Sequence, residues 1–248
     1  MNRELAGKVS LVTGAARGIG RAIAIRLADM GSSVAVNDLP DNDEAVKVVR
    51  EIGDSGGEAI VAPADVTDSK AVKAAVKQIT DRWGKIDILV NNAGIIRHNL
   101  FLRISDADWD DVIATNLRGA YLCTRFALRT MLTQGWGRVI NIASIAGITG
   151  GLGHTSYAAS KGGLIAFTRG LASEVGVKNI TVNAVAPGLV ITAMTENLSQ
   201  EARDAMLSRS ALKRFGTAAE VAELVAFLAT DRASYITGQV ICIDSGVT

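Results

Sequence analysis

The chain lacks most of what would hold a small exported or metal-bound scaffold together. Its 248 residues include two cysteines, Cys123 and Cys242, far apart and in apolar surroundings. They offer neither a disulfide framework nor metal-type spacing. With no basic–apolar signal pattern in the opening MNRELAGKVS, they predict a reducing, cytoplasmic setting. Only three prolines occur, with no Ser/Pro-rich stretch or charge block at which to divide the chain. One domain over residues 1–248 is therefore expected. An excess of one charge is missing too, since 26 Lys and Arg balance 25 Asp and Glu. That argues against nucleic acid or an anionic membrane surface as partner. No apolar run approaches a membrane span. The two histidines, His98 and His154, belong to no ligand-spaced set, so no metal is expected.

What is present is alternation. Strand-length apolar runs fall at 8–13, 33–38, 59–64, 86–91, 138–143, 180–186 and 239–244, and helix-periodic segments at 18–30, 42–55, 69–83, 106–134, 155–175 and 217–229. The runs are near-continuous in Val, Ile and Ala, as strands buried on both faces of a parallel sheet require. The pattern predicts an α/β, doubly wound (Rossmann) seven-stranded parallel sheet with helices on both faces. The polar-rich stretch 189–212, after Pro187-Gly188, reads as a lid on the substrate side or as a fixed surface helix pair.

In such a sheet, ligands bind beyond the carboxyl ends of the strands. There the sequence collects Gly14, Gly18, Gly20, Asn91, Asn92, Gly94, Ser144, Gly147 and Gly188. TGAARGIG (13–20) follows the first strand and opens a helix, as a pyrophosphate-binding turn does. Asp38 ends the second strand, where a carboxylate accepts from ribose hydroxyls and repels a 2′-phosphate. Arg17, inside the turn, points the other way. NAD(H) is therefore favoured, with NADP(H) as the alternative. Asp65, after the third strand, suits either the adenine edge or a helix-preceding turn. In TSYAASKGG (155–163), Tyr157 and Lys161 are four apart and share a helix face. A lysine so placed would lower the phenol pKa. Ser144, ending the fifth strand, could donate to a carbonyl oxygen or simply make a turn. Mid-helix Asn116 is either solvated or has a side-chain role. His154 is expected to be a solvated loop residue, with the substrate pocket as the alternative. The nearby GITGGLGHT (147–155) reads as room for an acyl chain or as a flexible loop.

TGAARGIG, NNAG (91–94), Asn116, Ser144, Tyr157-x-x-x-Lys161 and Pro187-Gly188 together resemble the short-chain dehydrogenase/reductase family, over Lys8 to about Gly246. Stretches such as WDDVIATNLRGAY and ITVNAVAPGLVITAM are most similar to its 3-oxoacyl-[acyl-carrier-protein] reductases. The resemblance implies an NAD(P)-dependent enzyme acting on a small-molecule carbonyl or secondary alcohol, with a carrier-protein thioester as substrate and a homotetramer as assembly. Sugar, polyol, steroid and small-ketone substrates are the alternative, and a non-catalytic dinucleotide sensor is a third reading. The implied catalytic set is Asn116, Ser144, Tyr157 and Lys161, with Asn116 linked to Lys161 through water. The implied cofactor set is Gly14, Arg17, Gly18, Ile19, Gly20, Asp38, Asp65, Val66, Asn92, Ala93, Gly94, Tyr157, Lys161, Pro187, Gly188, Val190 and Thr192. Asn91 and Gly94 would shape the wall beside the cofactor, and Gly188 would let backbone approach the nicotinamide. Two features depart from those reductases. They typically use NADPH, against Asp38, and Ser173 replaces one of the basic residues that flank Arg129 on the carrier-docking face.

Overall fold

All seven apolar runs form strands: β1 (Val9–Val12), β2 (Ser33–Val36), β3 (Ala59–Val61), β4 (Ile88–Asn91), β5 (Gly137–Ile142), β6 (Ile180–Pro187) and β7 (Val240–Ile243). They pair in parallel in the order β3-β2-β1-β4-β5-β6-β7. The helices between them are α1 (Gly18–Asp29), α2 (Asp43–Asp54), α3 (Ser69–Trp83), α4 (Asp106–Ile113), α5 (Gly119–Gln134), α6 (Ala146–Thr149), α7 (Thr155–Val175), α8 (Gln200–Ser208) and α9 (Ala218–Ala229). This computed structural model describes residues 3–191 and 200–248.

Successive strand residues feed opposite layers. Val12, Val36, Val90, Ile140 and Val185 pack on one side with α1, α2 and α9. Leu11, Ala35, Leu89, Val139 and Val182 pack on the other with α3, α5 and α7. Both faces need apolar side chains, so the strands read as unbroken runs. The strand order reverses between β1 and β4, and the crevice at their carboxyl ends is where such sheets bind ligands.

Side chains close the starts of four helices. Asn42 accepts from Glu44 N, Asp68 from Lys70 N and Ser105 from Asp108 N, while Thr217 and Glu220 make a reciprocal capping box on α9. α1 is different: Arg17 gives no side-chain cap and the first turn holds no acid. Its leading N–H groups are left facing the crevice.

The segment expected as one helix over 106–134 runs through, with one widened π turn at Ala114–Arg118 that carries Asn116. In the stretch 189–212, Leu189 and Ile191 are tied to Gly216 by backbone hydrogen bonds of 2.8 and 2.9 Å, and α8 follows. Residues 192–199, Thr192 among them, lie outside the described residues. Among the described residues no helix is long and apolar enough to cross a membrane, and no group of metal-ligating side chains assembles.

Candidate active site

A cavity of about 650 Å³ opens over the ends of β1, β2 and β4. Its walls include Gly14, Arg17, Gly18, Ile19, Gly20, Asp38, Asp65, Val66, Asn92, Ala93 and Gly94. Gly14 and Gly18 hold φ of +60° and +55°, which turn the backbone tightly at the start of α1. A Cβ at Gly20 would lie 2.2 Å from Gly14 O, so glycine is the residue that fits. Asn92 braces the turn, its Nδ2 donating to Thr13 O and Gly14 O, both at 2.9 Å. Thr13 Oγ1 in turn accepts from Asn92 N and Ala93 N at 3.0 Å. Thr13 is a site-building residue that sequence reasoning missed, although it opens the TGAARGIG motif.

Asp38 stands at the rim. Its Oδ2 accepts from Ala16 N at 3.1 Å, and its Oδ1 from Leu39 N and Asn42 Nδ2 at 2.9 and 3.0 Å. Arg17 does not pair with it; the guanidinium is exposed at the cavity wall with no partner among the described residues. Asp65 accepts from Thr67 N and Thr67 Oγ1, both at 2.8 Å, so it shapes the turn before α3 while lining the cavity. The two readings of Asp65 are compatible.

Past Gly94 the chemistry changes from backbone to buried side chains. A Cβ on Gly94 would lie 3.2 Å from Asn116 Oδ1 and 3.4 Å from Lys161 Nζ, so this glycine leaves room for both groups. Lys161 is buried on α7 and donates from Nζ to Ile142 O at 2.7 Å. Nζ is 5.7 Å from the centre of the Tyr157 ring. Ser144 lies two residues beyond β5, and its hydroxyl is near enough to the Tyr157 phenol to favour its ionised form. The Ser144 loop is pressed onto α7, since a Cβ on Gly147 would meet Lys161 C at 2.7 Å and Gly162 N at 2.8 Å. Asn116 is buried, not solvated. Its Oδ1 accepts from Ile95 N at 2.8 Å, and its Nδ2 donates to Ile95 O and Ser160 Oγ at 2.9 and 3.0 Å. Ser160, which sequence reasoning also missed, joins Asn116 to Tyr157 O.

The electrostatics correct one expectation. Burial pushes the Tyr157 phenol above its ordinary value, the Ser144 hydroxyl opposes that, and Lys161 is not among the causes. Burial instead acts on the lysine, pulling it down to about 8. Two placements differ as well, those of Asn91 and His154. Asn91 turns away from the cavity, because strand alternation puts it on the Leu89 side of β4. There it donates to Thr124 Oγ1 and Asn141 Oδ1 beneath α5 and α7. Gly188 is fixed by β7, since a Cβ there would lie 2.6 Å from Asp244 Cβ. Pro187 O accepts from Ile145 N, and Val190 lines a separate cavity of about 80 Å³ with Leu212 and Ile243. Finally, His154 is not a solvated loop residue; its ring is half-buried 6.3 Å from that of Tyr157.

A phenol and a hydroxyl thus converge on one point, with a buried ammonium one turn behind and a dinucleotide-sized cavity beside them. Residues 14–248 match a family model described as enoyl-(acyl carrier protein) reductase. The chain is similar to the 3-oxoacyl-[acyl-carrier-protein] reductase FabG of Staphylococcus aureus, 46% identical over 97% of this chain and 98% of that protein. It is 45% identical to the Aquifex aeolicus protein of that name over the whole of both chains. Identity to the Thermotoga maritima counterpart is 44%, over 98% of this chain and 99% of the other.

Proposed function

This chain belongs to the short-chain dehydrogenase/reductase family, and from that premise we propose that it reduces the ketone of 3-oxoacyl thioesters carried on acyl carrier protein. It is an oxidoreductase of the C=O/CH–OH couple that uses a nicotinamide cofactor. The observation that carries the proposal is the meeting of the Ser144 and Tyr157 hydroxyls in front of buried Lys161. That donor pair suits a carbonyl oxygen, and the FabG relatives are named for 3-oxoacyl substrates.

The cofactor fits an uncapped helix start, a glycine turn without room for side chains at Gly20, and a carboxylate at the end of β2. When bound, it supplies the hydride that reaches the carbonyl carbon. Ser144 donates to the carbonyl oxygen and fixes its direction. Tyr157 gives up its proton to that oxygen as charge develops, completing the alcohol. Lys161 then faces a phenolate, and its positive charge offsets the burial that otherwise holds the phenol protonated. Asn116 keeps the Ile95 loop and Ser160 in place beside Lys161. NAD(H) is the proposed cofactor because the Asp38 carboxylate stands where a 2′-phosphate would sit. Unpaired Arg17 favours NADP(H) instead. A homotetramer belongs to the same proposal, supported by exposed Tyr121 and Leu132 along α5.

The experiment is a panel of acetoacetyl and crotonyl thioesters of acyl carrier protein, small ketones and polyols, each with NADH and NADPH. Reduction of the acetoacetyl thioester, and little of the crotonyl one, is expected. Tyr157→Phe should lower kcat by at least about 100-fold while NADH affinity stays within about twofold, since only the proton donor is lost. Activity near wild type in that variant would remove Tyr157 from the mechanism.

A further inference from the structure

The chain has two histidines, and the fold brings them together beside Tyr157. His98 lies in the loop after β4 and His154 at the entrance to α7. Their rings meet edge to face, centroids 4.3 Å apart and planes at 80°. The same two loops are clipped by a backbone hydrogen bond, Asn99 N donating to Gly153 O at 3.2 Å. His154 Nδ1 is 2.8 Å from Leu152 O. A carbonyl can only accept, so Nδ1 carries the proton and a neutral ring leaves Nε2 as an acceptor.

The His98 loop is held along its length. Ile95 is bound twice by Asn116. Arg97 reaches Asp108 and Asp111 of α4 at 3.6 and 3.9 Å. Asn99 Nδ2 donates to Arg103 O at 2.7 Å. One end of this loop lines the cofactor cavity through Ile95, while the other presents His98 to His154. Neither histidine lines that cavity.

We propose that His98 and His154 are a positioning pair that walls the substrate side of Tyr157. Burial disfavours charge on His98, and His154 beside it adds to the effect. The other charged groups around the pair do not reverse this. Arg97 on the same loop is met by Asp108 and Asp111 of α4, and α7 contributes Tyr157 with Lys161 behind it. Protonation of His98 therefore works against the contact that joins the two loops. Leu100 and Leu152 border the pair and are half or more exposed. An uncharged wall of this kind suits the acyl portion of a 3-oxoacyl thioester, and the kinetic half of the proposal rests on that reading.

The test has two readouts. With acetoacetyl-coenzyme A and NADH, KM and kcat are measured from pH 5.5 to 8 for wild type, His98→Phe and His98→Ala. Wild-type KM should rise about fivefold or more on acidification with a smaller change in kcat, whereas His98→Phe keeps the ring contact and flattens the profile. His98→Ala should raise KM at every pH and leave NADH affinity within about twofold. Independently of any substrate, an imidazole NMR titration of the protein alone should place the His98 midpoint below its ordinary value of about 6.5. His98→Phe should then shift the ring-proton resonances of His154, as a ring held edge to face requires. A pH limb retained in His98→Phe, an unchanged KM in His98→Ala, or His154 ring resonances that ignore His98→Phe would each overturn the pair. If acetoacetyl-coenzyme A is not reduced while the His154 resonance shift holds, the thioester reading fails and the pair stands. Its KM is then measured with the ketone that the enzyme does reduce.

Discussion

The turn after β1 and the catalytic helix α7 are both rich in glycine and use it in opposite ways. In the turn, Gly14 and Gly18 take positive φ, and a Cβ at Gly18 would meet nothing within 4 Å. Glycine there keeps backbone N–H groups open to the cavity at the start of an uncapped helix. Where α6 meets α7 there is no free space. The Gly147 backbone lies against Lys161 and Gly162, so glycine brings two pieces of backbone together and carries Ser144 with them. The binding half of the site thus joins a close-packed Gly20 to backbone left open at Gly18, already shaped for an anion. The reacting half is closed side chains whose protonation depends on burial. Substitutions should therefore separate into losses of stability on one side and losses of affinity on the other.

The largest expected effect is at Gly147. Alanine would place a Cβ under 3 Å from backbone of α7, which cannot yield as a flexible side chain would. Gly147→Ala should cost roughly 3 kcal/mol of stability in a denaturant titration, as overpacking does, and lower kcat because Ser144 and Lys161 shift apart. A midpoint equal to wild type would mean that the two backbones do not meet.

Lys161 tests the burial side of the comparison. Its folded pKa is about 8 against an unfolded value near 10.5. At pH 7 it is charged in both states, and only the folded state bears the penalty of burying that charge. As pH rises through 8 the folded lysine releases its proton, and the penalty is relieved by pH 10.5. Lys161→Met should therefore stabilise the protein at pH 7 by roughly 2 kcal/mol while removing activity, less the lost hydrogen bond to Ile142 O. The gain should shrink as pH rises from 7 to 10. A destabilised variant at pH 7 would show that the lysine charge is well solvated.

These two residues also mark how far the sequence could be read. The strands and the site motifs were legible because doubly buried strands need continuous apolar runs and a phosphate turn needs glycine. Less visible was what each glycine makes room for. Gly188 reads as a cofactor residue, and the close approach of Asp244 after β7 is a second demand on it that spacing does not show. Asn91 ends a strand that points at the site, yet alternation turns its amide under α5 and α7. The π turn around Asn116 leaves no mark in composition or spacing, and the meeting of His98 with His154 depends on two loops folding toward each other. The lysine's effect on the phenol could be posed from spacing alone. The direction of the phenol's own shift could not, because burial sets it and Lys161 is not among the causes.

On the binding side, Asp38→Ala should shift the ratio of kcat/KM between the two cofactors by about tenfold toward NADP(H), the scale of removing one repelling charge near a phosphate. Adding Arg17→Ala should take back part of that gain, since the exposed guanidinium would then face the 2′-phosphate alone. An unchanged ratio in Asp38→Ala would assign cofactor choice to Arg17 and the turn.

The smallest effect on stability should come from Gly18→Ala. Alanine at φ +55° carries a strain of about 1 kcal/mol, and there is no neighbour for its methyl group to strike. That methyl would stand where the cavity needs open backbone, so NADH affinity should fall by about tenfold or more, beyond the change in unfolding midpoint. Gly147→Ala should give the reverse, a large loss of stability with cofactor affinity nearly kept. If both variants lose stability and affinity in the same proportion, the two glycine clusters are one structural unit, and the division between an open binding half and a closed reacting half does not hold.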